Sequence, residues 1–350
     1  MTEPEIAQQR LYSQHIATQT FATPTKIVKY MGAMQAQDYA GAKWAVGMRL
    51  QKGNDAAVDK AMADGSIIRT HVLRPTWHFV APDDLRWMLD LTAHRIIALS
   101  ASRERQLKLD NATFKRTNDV LGKALTGGKQ LSRLEIMETL QQAGIDTNEQ
   151  RFVHLLMRAE LDKVICSGAR LGKQFSYALF DDRVPKGNQP TKAEALSELV
   201  KRYFISRGPA TLQDFSWWSG LTLTDAKNGL DFIKSELKNT QVNGHTYWMS
   251  KDQLVINAKA PIAFLLPAYD EFAVAYSDRT AAVNPKYLAQ ARHVIFDSSI
   301  IVNNQVVGTW KRAVKKNEIE ITLNPFGKLN KTQIKAIAMA QKRYQKFMKA

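Results

Sequence analysis

Two glutamines separated by one alanine stand out in an apolar part of the chain. Gln35-Ala36-Gln37 lies within the segment YMGAMQAQDYAGAKWAVGMRL. Buried amides need hydrogen-bond partners, so two of them in an apolar segment are costly unless they serve a purpose. An amide is no general base near neutral pH, so its chemistry is to hold and orient other groups. Side chains at i and i+2 project similarly only if the chain is extended or turning. The alternative is a pair of surface glutamines at a helix end.

The common catalytic patterns are missing from the sequence. It has no GxSxG nucleophile elbow and no GxxxxGK[ST] or GxGxxG phosphate loop. Its single cysteine, Cys166, follows apolar Ile165 in a β-rich run, which favours packing over nucleophilic attack. The seven histidines include no HxxxH pair. We therefore expect no metal site and no cofactor.

The charge of the chain favours a polyanionic partner. The sequence carries 49 Lys and Arg against 33 Asp and Glu, a formal net charge of +16. Much of the excess lies between positions 311 and 350, a segment dominated by basic residues. Contacts with phosphates release counterions, so a balance this basic predicts nucleic-acid binding. A solvated basic surface is the alternative.

The length and hydropathy of the chain predict a cytoplasmic protein of several structural units. At 350 residues, the chain is long enough for two or three units. No apolar run reaches the roughly 18 residues of a membrane span, so we expect no membrane partner. The N-terminus has acidic and polar residues where a signal peptide needs a basic start and an apolar block. A single cysteine is in keeping with a reducing cytoplasm.

The elements around the glutamine motif predict an α+β fold of three tandem winged helix-turn-helix units. In the first, helices over 5–21 and from Pro24 precede IIRTHVLRPTWHFV, a β-rich hairpin broken at Pro75. In the second, Ser132 and Glu135 form a capping box, followed by two helices and a hairpin around residues 168–172. In the third, Thr211 caps one helix and Thr222 or Thr224 caps the next, which leads to an Asn243-Gly244 turn. Three unrelated helical hairpins are the alternative.

The four predicted regions are 1–125, 126–187, 188–260 and 261–350. The last has a β-meander with a turn at Asn303-Asn304, followed by a basic helix over 330–349. In that helix, Ile334, Ile337, Tyr344 and Phe347 are predicted to form an apolar side opposite the lysines.

Five blocks, in order, resemble the AlkZ-like DNA glycosylases, a family that is also described as winged helix DNA-binding domain proteins and includes the YcaQ branch. The blocks are MGAMQAQDYAGAKWAVGMRL, IIRTHVLRPTWHFVAPDDL, RYFISRGPATLQDFSWWSGLT, LLPAYDEFAVAYSDR and VVGTWKR. The resemblance runs from Arg10 to about Phe347 and implies a C-shaped arrangement of three winged helices. It also implies a catalytic Gln-apolar-Gln element at Gln35 and Gln37. The YcaQ branch has Asp at the second polar position, so Gln37 places this chain on the AlkZ side.

The resemblance implies a monofunctional DNA glycosylase that excises N7-alkylated, cationic purines from double-stranded DNA. Such a base is already a good leaving group, so Gln37 could position the attacking water while Gln35 positions the deoxyribose or supports Gln37. Unhooking of interstrand crosslinks would be compatible with an open concave surface. Asp38 and His78 are secondary pocket candidates, although Asp38 is expected to cap the next turn. The candidate phosphate contacts are Lys311, Arg312, Lys315, Lys331 and Lys335.

Two rival functions share the same charge and element order. A non-enzymatic winged-helix transcription regulator would explain both, but it leaves the glutamine pair unexplained and would be expected to bind as a two-fold dimer. An architectural or RNA-binding protein is disfavoured by the absence of RNA-recognition aromatic motifs. We expect a monomeric enzyme. Trp217 and Trp218 are expected to belong to the core.

Overall fold

The protein is described by a computed structural model that covers residues 1–148, 150–187, 189–252, 262–315 and 318–349. Helices and small antiparallel sheets alternate along these ranges, so the predicted α+β class is confirmed. Among the described residues, no helix is both long and apolar enough to cross a bilayer. The boundary predicted at residues 260 and 261 lies outside the described residues.

The first 80 residues place the glutamine motif at the end of an edge strand. The elements are α1 Glu3–Ser13, α2 Pro24–Met31, β1 Ala33–Gln35, α3 Tyr39–Gly47, α4 Asp55–Ala63, β2 Ile68–Val72 and β3 Arg74–Val80. The sheet order is β1-β3-β2. The predicted first helix is too long, since it ends at Ser13 before His15 adopts a positive φ of 56°.

The β2–β3 hairpin is present, but the predicted break at Pro75 is wrong. The chain turns at Leu73, where φ is 64°, and Pro75 lies within β3. β1 pairs only with the far end of β3, from His78 to Val80. No β1 residue therefore lies opposite Pro75. The backbone N–H that proline lacks is not needed there for pairing with β1.

The second segment begins after two helices and follows the predicted order of elements. These elements are α5 Pro82–Gln106, α6 Asn111–Ala124, β4 Leu131–Ser132, α7 Arg133–Gln142, α8 Arg151–Leu161, β5 Ile165–Ser167, β6 Ser176–Leu179 and α9 Phe180–Arg183. The capping box is confirmed, because Ser132 accepts the amide of Glu135 and the Glu135 carboxylate accepts the amide of Ser132. Cys166 is fully buried in β5, as expected.

The third segment confirms the Thr211 cap and the turn, and its second cap is Thr222 and not Thr224. Its elements are α10 Lys192–Arg207, α11 Leu212–Ser219, α12 Leu223–Ile233, β7 Leu237–Val242 and β8 His245–Ser250. Thr211 and Thr222 each cap a helix in a capping box. Asn243 and Gly244 both have positive φ, 49° and 78°, as a type I′ turn requires.

A four-stranded sheet and a long helix complete the chain. The elements are β9 Ala263–Leu266, α13 Glu271–Val274, β10 Ser299–Val302, β11 Gln305–Lys315, β12 Glu318–Pro325 and α14 Lys331–Lys349. The strand order β12-β11-β10-β9 contains the predicted meander, with Asn303 and Asn304 in its turn. In α14, Ile337, Tyr344 and Phe347 are buried as predicted. Ile334 is 54% exposed, so its predicted place on the apolar side is wrong, because the first turn of the helix extends beyond the core.

Two hydrophobic cores join sequence-distant segments to the elements that precede and follow the motif. One combines Ala33 of β1 with α5, α10 and α11, and includes Trp218. The other combines α1 and Trp44 of α3 with the C-terminal sheet and α14. The indole of Trp44 donates a 2.7 Å hydrogen bond to the Leu265 carbonyl oxygen in β9. The motif between β1 and α3 is therefore held from both sides.

Candidate active site

The Gln-Ala-Gln motif spans the point at which the chain leaves β1. Gln35 is the last residue of the strand and is buried, whereas Gln37 and Asp38 are exposed just before α3. The pair therefore lies at a strand end, and the alternative of two surface glutamines at a helix end is wrong. The side-chain amide of Gln35 is in the interior and that of Gln37 faces solvent, because the extended strand ends between the two residues.

All three backbone N–H groups of the motif are bound. The Gln35 amide donates to Oε1 of Glu271 over 2.8 Å, and the Ala36 amide donates to the Trp77 carbonyl over 2.7 Å. The Gln37 amide donates to Oε1 of Gln35 over 2.5 Å. The backbone beneath the exposed Gln37 side chain is thus fixed at three successive residues.

A buried ion pair covers the free edge of β1. The Glu271 carboxylate accepts hydrogen bonds from Nε and Nη2 of Arg207, over 2.9 and 2.7 Å. The same guanidinium donates to the carbonyl oxygens of Met31 and Ala33, over 2.7 and 2.6 Å. The indole of Trp218 donates to Glu271 over 3.1 Å. The Arg207–Glu271 pair therefore forms hydrogen bonds with outward backbone groups of β1, as a neighbouring strand would.

His78 lies beside Gln35 but inside the protein. The register pairs Gln35 with His78 and His78 with Thr70, so these three side chains share one face of the sheet. The imidazole has no exposed area, and its Nδ1 is 2.9 Å from the Thr76 carbonyl oxygen, so Nδ1–H is the donor. Burial, together with the positive charge of Arg74, lowers the pKa of His78 well below its usual value. His78 is therefore a neutral, interior neighbour of the motif.

Asp38 occupies the N-cap position of α3 without making the expected side-chain bond. Its carbonyl oxygen accepts the amide of Ala42 over 2.8 Å, but its carboxylate makes no capping hydrogen bond. Asp38 thus occupies the expected cap position, but it does not make the predicted capping hydrogen bond. The carboxylate stays exposed beside Gln37, where it adds negative charge to the rim of the site.

A cluster of aromatic and cationic side chains lies next to the motif and includes residues of the second segment. The Arg69 guanidinium lies 4.2 Å from the centre of the Trp77 ring and 4.5 Å from that of Phe175. Arg170, in the loop between β5 and β6, lies 5.0 Å from the centre of the Tyr39 ring. Burial lowers the pKa of Arg69 to about 10, so the guanidinium remains charged at neutral pH. Nε of Arg69 donates to the Ala36 carbonyl oxygen over 3.1 Å, so this cluster places positive charge against the backbone of the motif.

The predicted phosphate contacts lie on the C-terminal elements. Lys311 is exposed on β11, and Lys331 and Lys335 are exposed on α14. Arg312 is half-buried and donates a hydrogen bond to the Tyr344 hydroxyl, which ties β11 to α14. Lys315 ends β11, but its side chain lies outside the described residues.

Sequence reasoning missed the ion pair behind the motif and misplaced one tryptophan. Arg207 and Glu271 lie within two of the quoted family blocks, RYFISRGPA and LLPAYDEF, and the presence of charged residues in apolar sequence was the available signal. Trp218 is buried, as expected, but Trp217 is 45% exposed and its indole donates to the Val274 carbonyl over 3.0 Å. The expectation that both tryptophans belong to the core is wrong for Trp217, since adjacent helical positions point in different directions.

Comparisons with known proteins place this chain in an enzyme class. The family profile described as DNA glycosylase AlkZ-like matches residues 28–347. A curated relative, the interstrand DNA cross-link repair glycosylase of Streptomyces sahachiroi, is 23% identical over 353 residues, covering 94% of this chain and 91% of the relative. The solved structure of Streptomyces sahachiroi DNA glycosylase AlkZ has the same fold, with a TM-score of 0.80 and 20% identity, over 99% of this chain and 96% of that one.

The class that these findings define is that of the DNA glycosylases, DNA-binding enzymes of DNA repair. The chain belongs to the AlkZ-like family.

Proposed function

We propose that the protein is a monofunctional DNA glycosylase that removes N7-alkylated, cationic purines from double-stranded DNA and acts as a monomer. One observation carries the proposal: Gln37 presents an exposed amide at the end of a strand whose backbone is bound at three successive residues. A fixed dipole of this kind is suited to orienting a small molecule at a reacting centre. Family membership supports the reaction class.

The chemistry requires little from the protein because the leaving group already carries a positive charge. A water molecule must be held near the anomeric carbon, and the oxocarbenium-like transition state must be stabilised by fixed dipoles. Oε1 of Gln37 accepts the Trp77 N–H over a long 3.4 Å, and its second lone pair accepts a hydrogen bond from that water. Oε1 of Gln35 is occupied by the Gln37 amide, which favours a supporting role for Gln35 over direct contact with deoxyribose. Neutral, poorly leaving bases such as uracil are not expected to be released.

The surroundings of the motif support a monofunctional reaction. A lyase step needs an uncharged amine to form a Schiff base. Lys43, in the helix that follows the motif, lies 2.5 Å from the Asp55 carboxylate and 2.7 Å from that of Asp59. With 7% of its side chain exposed and its Nζ bound by two carboxylates, Lys43 is not presented to a substrate.

We further propose that the three segments of helices followed by a hairpin are winged helices arranged around DNA in a C shape. The four regions at 1–125, 126–187, 188–260 and 261–350 would be the units of this arrangement. Lys311, Arg312, Lys315, Lys331 and Lys335 would contact phosphates. The exposed position of Gln37 suits bulky N7 adducts, and the crosslink-repair activity of the Streptomyces sahachiroi relative extends the proposal to unhooking interstrand crosslinks.

The decisive experiment is release of N7-methylguanine from a lesion-bearing duplex under single-turnover conditions. We expect release by the native protein and its loss in Gln37→Ala, while the Kd for the duplex stays within about twofold. A uracil-containing duplex should yield no free base. Binding of DNA without release from any N7 adduct, combined with a sequence-specific footprint, would instead favour a transcription regulator.

A further inference from the structure

The free edge of β1 directs the Ala33 carbonyl oxygen and the Gln35 N–H, among its outward backbone groups, away from its partner strand. An edge strand leaves such groups unpaired unless another element covers them. Here the Ala33 carbonyl oxygen is bound by Arg207 and the Gln35 amide by Glu271, and these two side chains bind one another. Both side chains are buried, at 0% and 1% exposure.

We propose that Glu271, held by Arg207, is a positioning residue that sets the orientation of the Gln35-Ala36-Gln37 element. This inference rests on the proposed function for its effect on rate. The Glu271 carboxylate fixes the peptide group that precedes the Gln35 side chain. The Gln35 side chain in turn fixes the Gln37 amide, so the chain of contacts runs from an interior charge to the exposed dipole.

A charged acceptor suits this task better than a neutral one. A hydrogen bond from a backbone N–H to a carboxylate is shorter and stronger than one to a neutral oxygen. The carboxylate also binds Arg207 and the Trp218 indole through its other oxygen, which leaves it little freedom to rotate. The motif is thereby tied to α10, α11 and α13, which are distant in the sequence.

The adjacent residue provides a matched control. Asp270 is buried and binds Arg49 through two hydrogen bonds of 2.9 Å, so it forms an ion pair much like that of Glu271. Among the described contacts, Asp270 makes no hydrogen bond to the motif. An asparagine at 270 would still accept the amide of Phe272 that the aspartate caps now.

The test compares Glu271→Gln with Asp270→Asn in two measurements made on the full chain. The first is single-turnover release of N7-methylguanine, with the Kd for the duplex measured in parallel. We expect Glu271→Gln to lower the rate about 10- to 100-fold with Kd within about twofold, because a misplacement of about 1 Å in reacting groups costs about that much. Asp270→Asn should keep a near-native rate, at a comparable loss of urea stability.

The second measurement is hydrogen–deuterium exchange in peptides that span residues 33–37. Exchange should be faster in Glu271→Gln than in Asp270→Asn. If Glu271→Gln does not fold, the double variant Glu271→Gln with Arg207→Met, which leaves no unpaired buried charge, takes its place, and its rate should remain at least tenfold low.

The two measurements separate this inference from the proposed function. Equal rates and equal exchange in the two variants would overturn the positioning role while base release by the native protein stands. If the native protein releases no base, the proposed function fails. Exchange then decides the positioning role alone, and equal protection in the two variants would overturn it as well.

Discussion

Oε1 of Gln35 accepts the backbone N–H of Gln37 over 2.5 Å, so the buried glutamine supports the exposed one. The two residues therefore have different structural roles. Gln35 contributes its side chain to the shape of the turn between β1 and α3, and Gln37 presents its side chain to solvent. Substitutions at the two positions should for that reason separate stability from activity.

Gln37→Ala should reduce base release about 100-fold and leave the free energy of unfolding within about 0.5 kcal/mol of native, since the side chain is exposed and its bond from the Trp77 N–H is long, at 3.4 Å. Gln35→Ala should reduce release as well, and should lower the free energy of unfolding by about 1–2 kcal/mol, because the Gln37 amide loses its acceptor. Single-turnover assays and urea titrations measure the two effects. Equal stability of the two variants would contradict the supporting role of Gln35.

His78 should make the protein less stable as the pH falls. Its pKa is lowered in the folded state by burial, so below about pH 6.5 the unfolded chain binds a proton that the folded chain does not. The stabilisation is fully present above that pH and decreases below it, by up to about 1.4 kcal/mol per pH unit.

The measurement is the free energy of unfolding between pH 7 and pH 5 for native protein and His78→Asn. An asparagine can still donate toward the Thr76 carbonyl, and its amide does not titrate. His15 also has a lowered pKa, of about 4, and contributes a decrease in the same direction to both proteins. The difference in slope therefore belongs to His78, and parallel curves would show that its imidazole is protonated in the folded state.

The contact between α3 and α14 should be sensitive to a single methyl group. A Cβ at Gly47 would overlap the ring of Phe347, which is buried in the C-terminal core. Gly47→Ala should therefore lower the free energy of unfolding by about 1–3 kcal/mol. In a Phe347→Ala background the same change should cost almost nothing. Additive effects in this double-mutant cycle would rule out the proposed overlap.

Lys311 should contribute one phosphate contact to DNA binding. Lys311→Gln should weaken binding to any duplex and reduce the slope of log K against log salt by about 1. Lys115→Gln is the comparison, since Lys115 is similarly exposed but lies 3.6 Å from the Asp119 carboxylate on α6. Fluorescence anisotropy at several salt concentrations measures both slopes. An unchanged slope in Lys311→Gln would remove this residue from the interface.

Cys166 should be unreactive in the folded protein. Burial raises the pKa of its thiol to about 12, and the thiolate is the nucleophilic form. At pH 8 an aromatic disulfide reagent should label the native protein only as fast as it unfolds, and should label it at once in urea. Rapid labelling of the native protein would show that β5 opens.

The amino-acid sequence determined the features that depend on neighbours in the chain. The capping box of Ser132 and the Asn243-Gly244 turn follow from local hydrogen bonds and from backbone conformations that few residues adopt. The α+β class follows from the alternation of these local signals. The unusual pair of glutamines in an apolar segment was also visible without a structure.

Only the tertiary structure decided how the motif is held. Glu271 is 236 positions from Gln35, and Arg207 is 174 positions from Ala33, so no local pattern connects them. Their pairing arises because β1 is an edge strand and its outward N–H and carbonyl oxygen require partners inside the protein. Which of Gln35 and Gln37 is buried was likewise set by where β1 ends, because packing against the rest of the fold fixes that point.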